Sequence, residues 1–177
     1  MNEVINFWFS ELTPEDWWKK SDELDRLIER RFLQVHQAAV RCELSNWRSS
    51  PEGKLAEIIV LDQFSRNIYR GKPESFSFDG LALILAQEAV LSGADKLLSP
   101  DKKAFLYMPY MHSESEVIHE EAVRLFSQKG LESNLDFEHA HYNIIKKFGR
   151  YPHRNEILGR QSTQEEIDFL KGPNSSF

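Results

Sequence analysis

A single cysteine, Cys42, and an acidic charge balance set the first limits on this sequence. One cysteine excludes an internal disulfide and a cysteine-rich zinc site, and it is typical of a reducing compartment. The 22 lysines and arginines stand against 28 aspartates and glutamates, which gives a formal charge of -6. Because the phosphate backbone attracts basic surfaces, this balance argues against general nucleic-acid binding. We expect a cytoplasmic protein with no nucleic-acid partner.

Long apolar runs are also absent. No run reaches the ~18 residues of a membrane span, and the opening MNEVINFWFSEL has neither a basic n-region nor a small-residue cleavage site. With 8 glycines, 7 prolines and 41% hydrophobic residues, the composition excludes disordered and fibrous classes. We expect no secretion, no membrane partner and one globular domain over residues 1–177, frayed over 172–177.

Helix start signals recur along the chain, whereas strand signals are nearly absent. A capping hydroxyl precedes a proline in Thr13-Pro14, Ser50-Pro51 and Ser99-Pro100. Ser162-Thr163-Gln164-Glu165 is typical of a capping box before the last helix. These signals predict where helices begin.

Apolar periodicity predicts what the helices bury. Apolar residues between Ser21 and Cys42 recur at three- and four-residue steps, so a long amphipathic helix is expected, with Cys42 packed in its apolar stripe. The run that ends at Gly71 is apolar nearly all round and is predicted to lie at the centre of the fold. The tryptophans of the first quarter of the chain are expected mostly in the core.

Further helices are predicted over residues 78–91 and about 134–148. Another begins at residue 100, one ends at about Gly130, and the last begins at residue 163. A break is predicted at Pro109, because proline lacks the donor that would continue the helix. Connections this short make successive helices pack antiparallel. The sequence therefore predicts an all-α antiparallel helix-hairpin array. No residue pattern recurs at a fixed period, so a solenoid built from these helix hairpins would be one with degenerate repeats.

Asp62, Arg66 and Asn67 form the first polar cluster, inside the apolar central helix. Asp62 and Arg66 lie four residues apart on one helix face, so they can pair. In one interpretation the pair is an internal salt bridge that tethers neighbouring helices, since buried charges are usually paired. In the other, the acid holds the arginine in place to meet an anionic ligand.

His112, Glu116 and His119 form the second cluster. Their spacing places them on one face if a helix already includes His112. Such a face can bind a divalent metal or perform general acid-base chemistry. Acids that decorate the first turn of a helix are the simpler interpretation, and no metal is predicted.

The third cluster crowds Arg150, His153, Arg154 and Asn155 into one turn. Cations beside the free N–H groups of a new helix at Pro152 suit a phosphate or carboxylate. Alternatively, they cap the carbonyl end of the preceding helix. Five of the six histidines lie between positions 112 and 153, which is the clearest compositional sign of a site.

The segments that carry these residues resemble a known family. FWF, LDQFSRNIYRG, FLYMPYMHSES, FGRYPHRN and LGRQSTQEE are similar to the signature blocks of the bacterial domain of unknown function 924, from about Val4 to Leu170. Ser65 stands where the family's DQFPRN block has proline, and Tyr69 and Tyr151 where phenylalanine is common. The resemblance implies a tetratricopeptide-like superhelical fold and no reaction, so it transfers no catalytic residues.

We predict that the three clusters converge in one pocket that binds a small anionic ligand, either a phosphate or a carboxylate. The ligand-binding candidates are Asp62, Arg66, Asn67, Arg150, Arg154 and Asn155, and the candidates for proton transfer are His112, Glu116 and His153. No cofactor is predicted, and both enzymatic activity and oligomeric state stay open.

Two alternatives remain. A non-catalytic tetratricopeptide-like scaffold would receive a peptide or protein partner, with the same polar residues as structural tethers. A metal-dependent hydrolase would use His112, Glu116 and His119.

Overall fold

The computed structural model describes residues 1–173 and 175, and within them it is all-helical with no β-strand. The helices are α1 (Asn2–Asn6), α2 (Pro14–Trp18), α3 (Asp22–Val40), α4 (Pro51–Ile59), α5 (Ser65–Ile68), α6 (Asp79–Leu91), α7 (Pro100–Met111), α8 (Glu116–Phe126), α9 (Glu132–Phe148) and α10 (Gln164–Leu170). The predicted all-α class is confirmed. The likeness to a tetratricopeptide-like superhelix stays a prediction.

Several predicted start signals act as helix caps. The hydroxyl oxygen of Ser50 accepts a hydrogen bond from the amide of Gly53. Ser21, where the amphipathic pattern begins, accepts one from the amide of Leu24 in the same way. Thr163 and Glu166 form a reciprocal capping box at the start of α10. Local chemistry therefore fixes these helix starts before any packing is considered.

The segment that begins with α4 lies at the centre of the molecule, as predicted. Leu55, Ile58, Ile59, Leu61 and Phe64 are fully buried. α4 packs against α6 and α7, and the segment that follows it packs against α3. Farther along the chain, α6 contacts α7, α7 contacts α8, and α8 contacts α9, so successive helices are neighbours.

The central helix is interrupted by one wider turn. Val60–Phe64 forms a π-helical turn between α4 and α5. Such turns are less stable than α-helix and are frequent at functional sites. This turn contains Asp62, whose carboxylate is completely buried.

Two local predictions are wrong. α7 continues through Pro109 to Met111, because the proline removes only its own donor and the amide of His112 still donates to the Met108 carbonyl, at 3.0 Å. α3 ends at Val40, and Cys42 has a φ of 58° and an exposed side chain. Cys42 therefore does not pack in the apolar stripe.

The N-terminal end of the chain contributes Val4, Phe7 and Trp8 to the buried core. No helix within residues 1–173 is long and apolar enough to cross a membrane. Of the tail predicted to fray, residues 174, 176 and 177 lie outside the described part of the chain. The hydroxyl of Ser175 donates to the carbonyl of Leu170.

Candidate functional site

A histidine and an aspartate from distant parts of the chain form the centre of the site. His112 is the C-cap residue of α7. Its Nδ1 lies 2.7 Å from Asp62 Oδ1. The amide nitrogen of Gln63 donates to the other carboxylate oxygen of Asp62, at 2.6 Å. Both oxygens of this buried acid are therefore engaged.

Two arginines and a second aspartate extend this pair into a network. Arg66 lies 3.1 Å from the Asp62 carboxylate and also contacts Asp79, at 3.1 Å. Arg154 donates to the same Asp79 at 3.1 Å and to the carbonyl of His112 at 3.0 Å. Arg154 thus satisfies a carbonyl at the end of α7, which is not the helix that precedes it in sequence.

The charges of the network set its protonation states. Burial raises the pKa of Asp62, but Arg66 and His112 outweigh this effect and hold the pKa below its usual value. Burial and the neighbouring Arg66 lower the pKa of His112, against the opposing influence of Asp62. Asp62 is therefore ionised and His112 neutral near pH 7. In that state Nδ1 of His112 carries the proton that Asp62 accepts.

His153 lies beside the same network. Burial, helped by the positive charge of Arg154, lowers its pKa to about 4. His141 is similar, because burial lowers its pKa to about 3. Both rings are therefore neutral at physiological pH.

The network borders a cavity of about 560 Å³, which is within the range of small-molecule sites. Aromatic and basic side chains share its wall. The aromatic members are Trp8, Trp17, Trp18, Phe76, Phe137 and Tyr151, and the basic members are Lys19, Lys20, Arg66, Arg70 and Arg154, with His112, His141 and His153. Apolar rings and cations therefore face one common space.

A smaller cavity of about 300 Å³ lies beside the first. Phe76, His112 and Arg154 line both cavities. Asp79 lines only the smaller one. The network therefore separates two spaces, and the His112 ring borders each of them.

The structure brings together part of each predicted cluster. Arg66 and Asn67 from the first, His112 from the second, and His153 and Arg154 from the third all line the larger cavity. Asp62 lies behind them, bonded to His112. Residues separated by some ninety positions in sequence thus meet at one site.

Other predicted site residues lie elsewhere. Arg150 forms a bidentate ion pair with Glu166, at 2.7 and 2.8 Å, outside both cavities. The side-chain amide of buried Asn155 donates to Ser162. Glu116 is exposed at the start of α8 and lines neither cavity. The new helix expected at Pro152 is only the short 3₁₀ turn Pro152–Arg154.

The predicted shared face of His112, Glu116 and His119 does not form. α7 ends at Met111 and α8 begins at Glu116, so these residues do not belong to one helix. His119 instead pairs with Glu138 in the interior, at 2.6 Å. Among the residues that the structure describes, no three His, Cys, Asp or Glu side chains are grouped to hold a metal ion.

Sequence reasoning missed Asp79 and Tyr151. Asp79 lies in the first turn of α6 and bridges Arg66 and Arg154. Charge balance was the available signal, because two arginines in apolar surroundings require acidic partners. The Tyr151 ring lies beneath the Arg154 guanidinium, with 4.7 Å between Cζ and the ring centroid.

The fold and the site together define an all-α protein in which a buried ionic network opens on an aromatic cavity. The chain belongs to the family of bacterial proteins of unknown function DUF924, whose model matches residues 4–174. The solved structure of the protein of unknown function ATU0120 from Agrobacterium tumefaciens is similar, with 36% identity, 97% coverage of each chain and a TM-score of 0.92. The sequence matches no curated protein.

Proposed function

We propose that the larger cavity binds a small anion with a flat aromatic body, either a carboxylate or a phosphate. One observation carries this proposal: aromatic rings and the guanidinium groups of Arg66 and Arg154 line the same cavity of about 560 Å³. A ligand of this class places its ring against the aromatic wall and its charge beside the arginines.

The distribution of charge supports an anion. Among the described residues that line the larger cavity, five are lysine or arginine, and Asp16 is the one carboxylate. Asp62 and Asp79 lie outside this lining while they contact Arg66. The acids hold the arginine in position, and the cationic groups face the ligand.

A buried donor in the wall gives further support. Trp8 is 2% exposed, and its indole nitrogen has no acceptor among the described residues. Buried polar groups are almost always hydrogen-bonded, so an N–H without an acceptor indicates a missing partner. A ligand oxygen or a water molecule in the cavity would provide one.

Binding is tested with benzoate and phenyl phosphate, which combine a ring with an anion. Benzamide and inorganic phosphate are the controls, since each lacks one of the two features. Trp8, Trp17 and Trp18 line the cavity, so tryptophan fluorescence and the thermal midpoint both report binding. We expect both ring anions to bind and both controls to bind at least ten times more weakly. Equal binding of benzamide and benzoate would contradict the proposal.

A peptide carboxyl terminus is the second candidate ligand. Trp18 and Phe137 line the cavity yet are 61% and 57% exposed, so they present apolar surface to a larger partner. The dipeptide Gly-Phe and its C-terminal amide distinguish this case. If Gly-Phe binds more tightly than benzoate and its amide does not bind, the natural ligand is a peptide end.

The proposal includes a cytoplasmic location. Cys42 is a free, exposed thiol. Thiols of this kind persist in reducing compartments, which supports the location expected from the sequence.

A further inference from the structure

We propose that His112 is the general base of a hydrolase site, where it activates a water molecule to attack an ester or thioester of an anionic ligand. The inference rests on the proposed function for its substrate class. It goes further because it assigns a reaction and a base to the cavity.

The first argument is the arrangement of the two imidazole nitrogens. Nδ1 of His112 donates to Asp62, at 2.7 Å. Nε2 makes no hydrogen bond with the described residues, and the ring, 16% exposed, borders both cavities. The carboxylate therefore fixes the tautomer, and the free lone pair of Nε2 is left as the proton acceptor.

The second argument is the position of the carboxylate. Asp62 is fully buried in the π-helical turn Val60–Phe64, where a regular helix would be more stable. Gln63 donates to the Asp62 oxygen that His112 leaves free, and Arg66 lies 3.1 Å from the oxygen that His112 contacts. An acid held this firmly orients an imidazole through a whole reaction cycle, which is the task of the aspartate in a serine hydrolase triad.

The third argument concerns the nucleophile. Among the described residues that line the two cavities, the hydroxyl-bearing side chains are Ser75, Ser77, Ser113 and Tyr151. Ser75, Ser77 and Tyr151 donate to backbone carbonyls, and Ser113 accepts from a backbone amide. None of them is hydrogen-bonded to His112. The base therefore acts on water.

The reaction balances without any further reagent. Nε2 of His112 takes one proton from water while the water oxygen forms a bond to the acyl carbon and the carbonyl electron pair moves to its oxygen. The tetrahedral intermediate then breaks its bond to the leaving oxygen or sulfur, and the imidazolium returns the proton to that atom. The products are a carboxylic acid and an alcohol, phenol or thiol, and Asp62 stays ionised.

The pH dependence of this step follows from the charges around the ring. The positive Arg66 and the burial of the ring favour neutral imidazole, whereas Asp62 and Asp79 favour imidazolium. The groups that act on or lie beside His112 are Asp62 from the π-helical turn, Arg66 from α5, Asp79 from α6, His141 from α9, and His153 and Arg154 from the 3₁₀ turn. The lowered pKa of His112 means that the base is already unprotonated at neutral pH.

The test uses 4-acetoxybenzoate, which carries a ring, a carboxylate and an acetyl ester, together with the neutral ester 4-nitrophenyl acetate. We expect the protein to accelerate hydrolysis of at least the first ester. The rate should rise as His112 loses its proton and then reach a plateau. His112→Asn keeps a donor to Asp62 but removes the base, so the rate should fall about 10²–10⁴-fold.

Two further variants separate this role from a structural one. Asp62→Asn frees the tautomer and should also lower the rate by at least about 100-fold. Arg150→Gln is the matched control, because Arg150 pairs with Glu166 outside both cavities, and it should leave the rate unchanged. Thermal midpoints establish that each variant is folded.

The outcomes are distinct for the two proposals. If neither ester is accelerated, or if folded His112→Asn retains more than a third of the rate and the same pH profile, the base assignment is wrong. Benzoate binding without hydrolysis would leave the proposed function standing alone. If the protein hydrolyses 4-nitrophenyl acetate in a His112-dependent way but does not bind benzoate, the proposed anion binding is wrong and the assignment of His112 as the base stands.

Discussion

His112 and His119 each pair Nδ1 with a carboxylate, at 2.7 and 2.6 Å, but their second nitrogens meet different surroundings. His119 and its partner Glu138 are both fully buried. Nε2 of His119 lies 2.8 Å from the carbonyl oxygen of Ser113 and 3.2 Å from the hydroxyl of Tyr151. Nε2 of His112 makes no hydrogen bond with the described residues, and His112 lines both cavities. The same pairing therefore makes one histidine a closed structural link and leaves the other able to react.

The protons of the two pairs differ as well. A carbonyl oxygen only accepts, so Nε2 of His119 must donate to Ser113. Burial raises the pKa of Glu138, which favours a protonated acid that donates to Nδ1 of His119. In the other pair the acid is ionised and Nδ1 of His112 is the donor. Access to the free nitrogen, rather than the presence of a carboxylate, distinguishes a candidate base from a core histidine.

The largest expected change in the free energy of unfolding comes from the buried pair of His119 and Glu138. His119→Ala should lower the free energy of unfolding by about 3–5 kcal/mol, because it leaves a cavity in the interior and the buried Glu138 carboxyl without its hydrogen-bond partner. Urea denaturation measures this change. Glu138→Gln is the control, since an amide can still donate to Nδ1, and its cost should stay below about 1.5 kcal/mol. A loss of less than 1 kcal/mol in His119→Ala would contradict the interpretation of His119 as a structural residue.

A second closed histidine should make folding sensitive to acid. Nε2 of His36 contacts Ser65, its Nδ1 has no partner among the described residues, and burial lowers its pKa to about 4. Between pH ~6.5 and this value, the unfolded chain binds a proton that the folded protein does not, so the free energy of unfolding falls as pH falls.

Removing that histidine should reduce the acid sensitivity. His36→Gln should lose about 2–3 kcal/mol less than the parent protein between pH 7 and pH 4. Denaturation curves at both pH values measure this difference. Identical losses in the two proteins would mean that His36 is protonated in the folded state.

Arg66, which lines the larger cavity, should contribute to ligand binding. Arg66→Gln removes a charge-assisted contact to the ligand, so the affinity for benzoate should fall about 10- to 100-fold. Fluorescence titration measures it, with Arg150→Gln as the control that keeps full affinity. Unchanged binding in Arg66→Gln would make Arg66 a tether only.

The smallest expected change in the free energy of unfolding comes from the pair of His112 and Asp62. His112→Asn preserves the donor to Asp62, and a partly exposed site leaves no sealed cavity, so the free energy of unfolding should change by less than about 1 kcal/mol. The same denaturation experiment measures it. A loss comparable to that of His119→Ala would show that His112 is structural too.

Sequence reasoning located much of the fold correctly. The start signals before Pro14, Pro51 and Pro100 each coincide with the start of a helix, although the Ser99 side chain makes no capping hydrogen bond. These signals and the apolar pattern of the central segment depend on residues only a few positions apart, so local preferences decided them. The prediction failed at Pro109, where packing of the buried α7 outweighed the loss of one backbone donor. It failed again at Cys42, where the chain turns out of α3 two residues earlier than the pattern suggested.

The arrangement of the site, in contrast to the helix starts, could not be predicted from local sequence patterns. Periodicity selected Asp62, Arg66 and His112 as unusual, but the spacing of His112, Glu116 and His119 described a helix that does not exist. Asp62 and His112 are 50 positions apart, and Asp79 and Arg154 are 75 apart. No local pattern relates residues at such separations.

The sequence by itself determined an all-α chain, where most of its helices begin, and which segment is buried at the centre. These properties depend on neighbours within one or two helical turns, which the sequence states directly. Only the tertiary structure decided that Asp79 joins the two arginines, that Arg150 lies apart from them, and that His112 is open while His119 is sealed. Burial and access depend on which helices pack around a side chain, and that arrangement is a property of the whole fold.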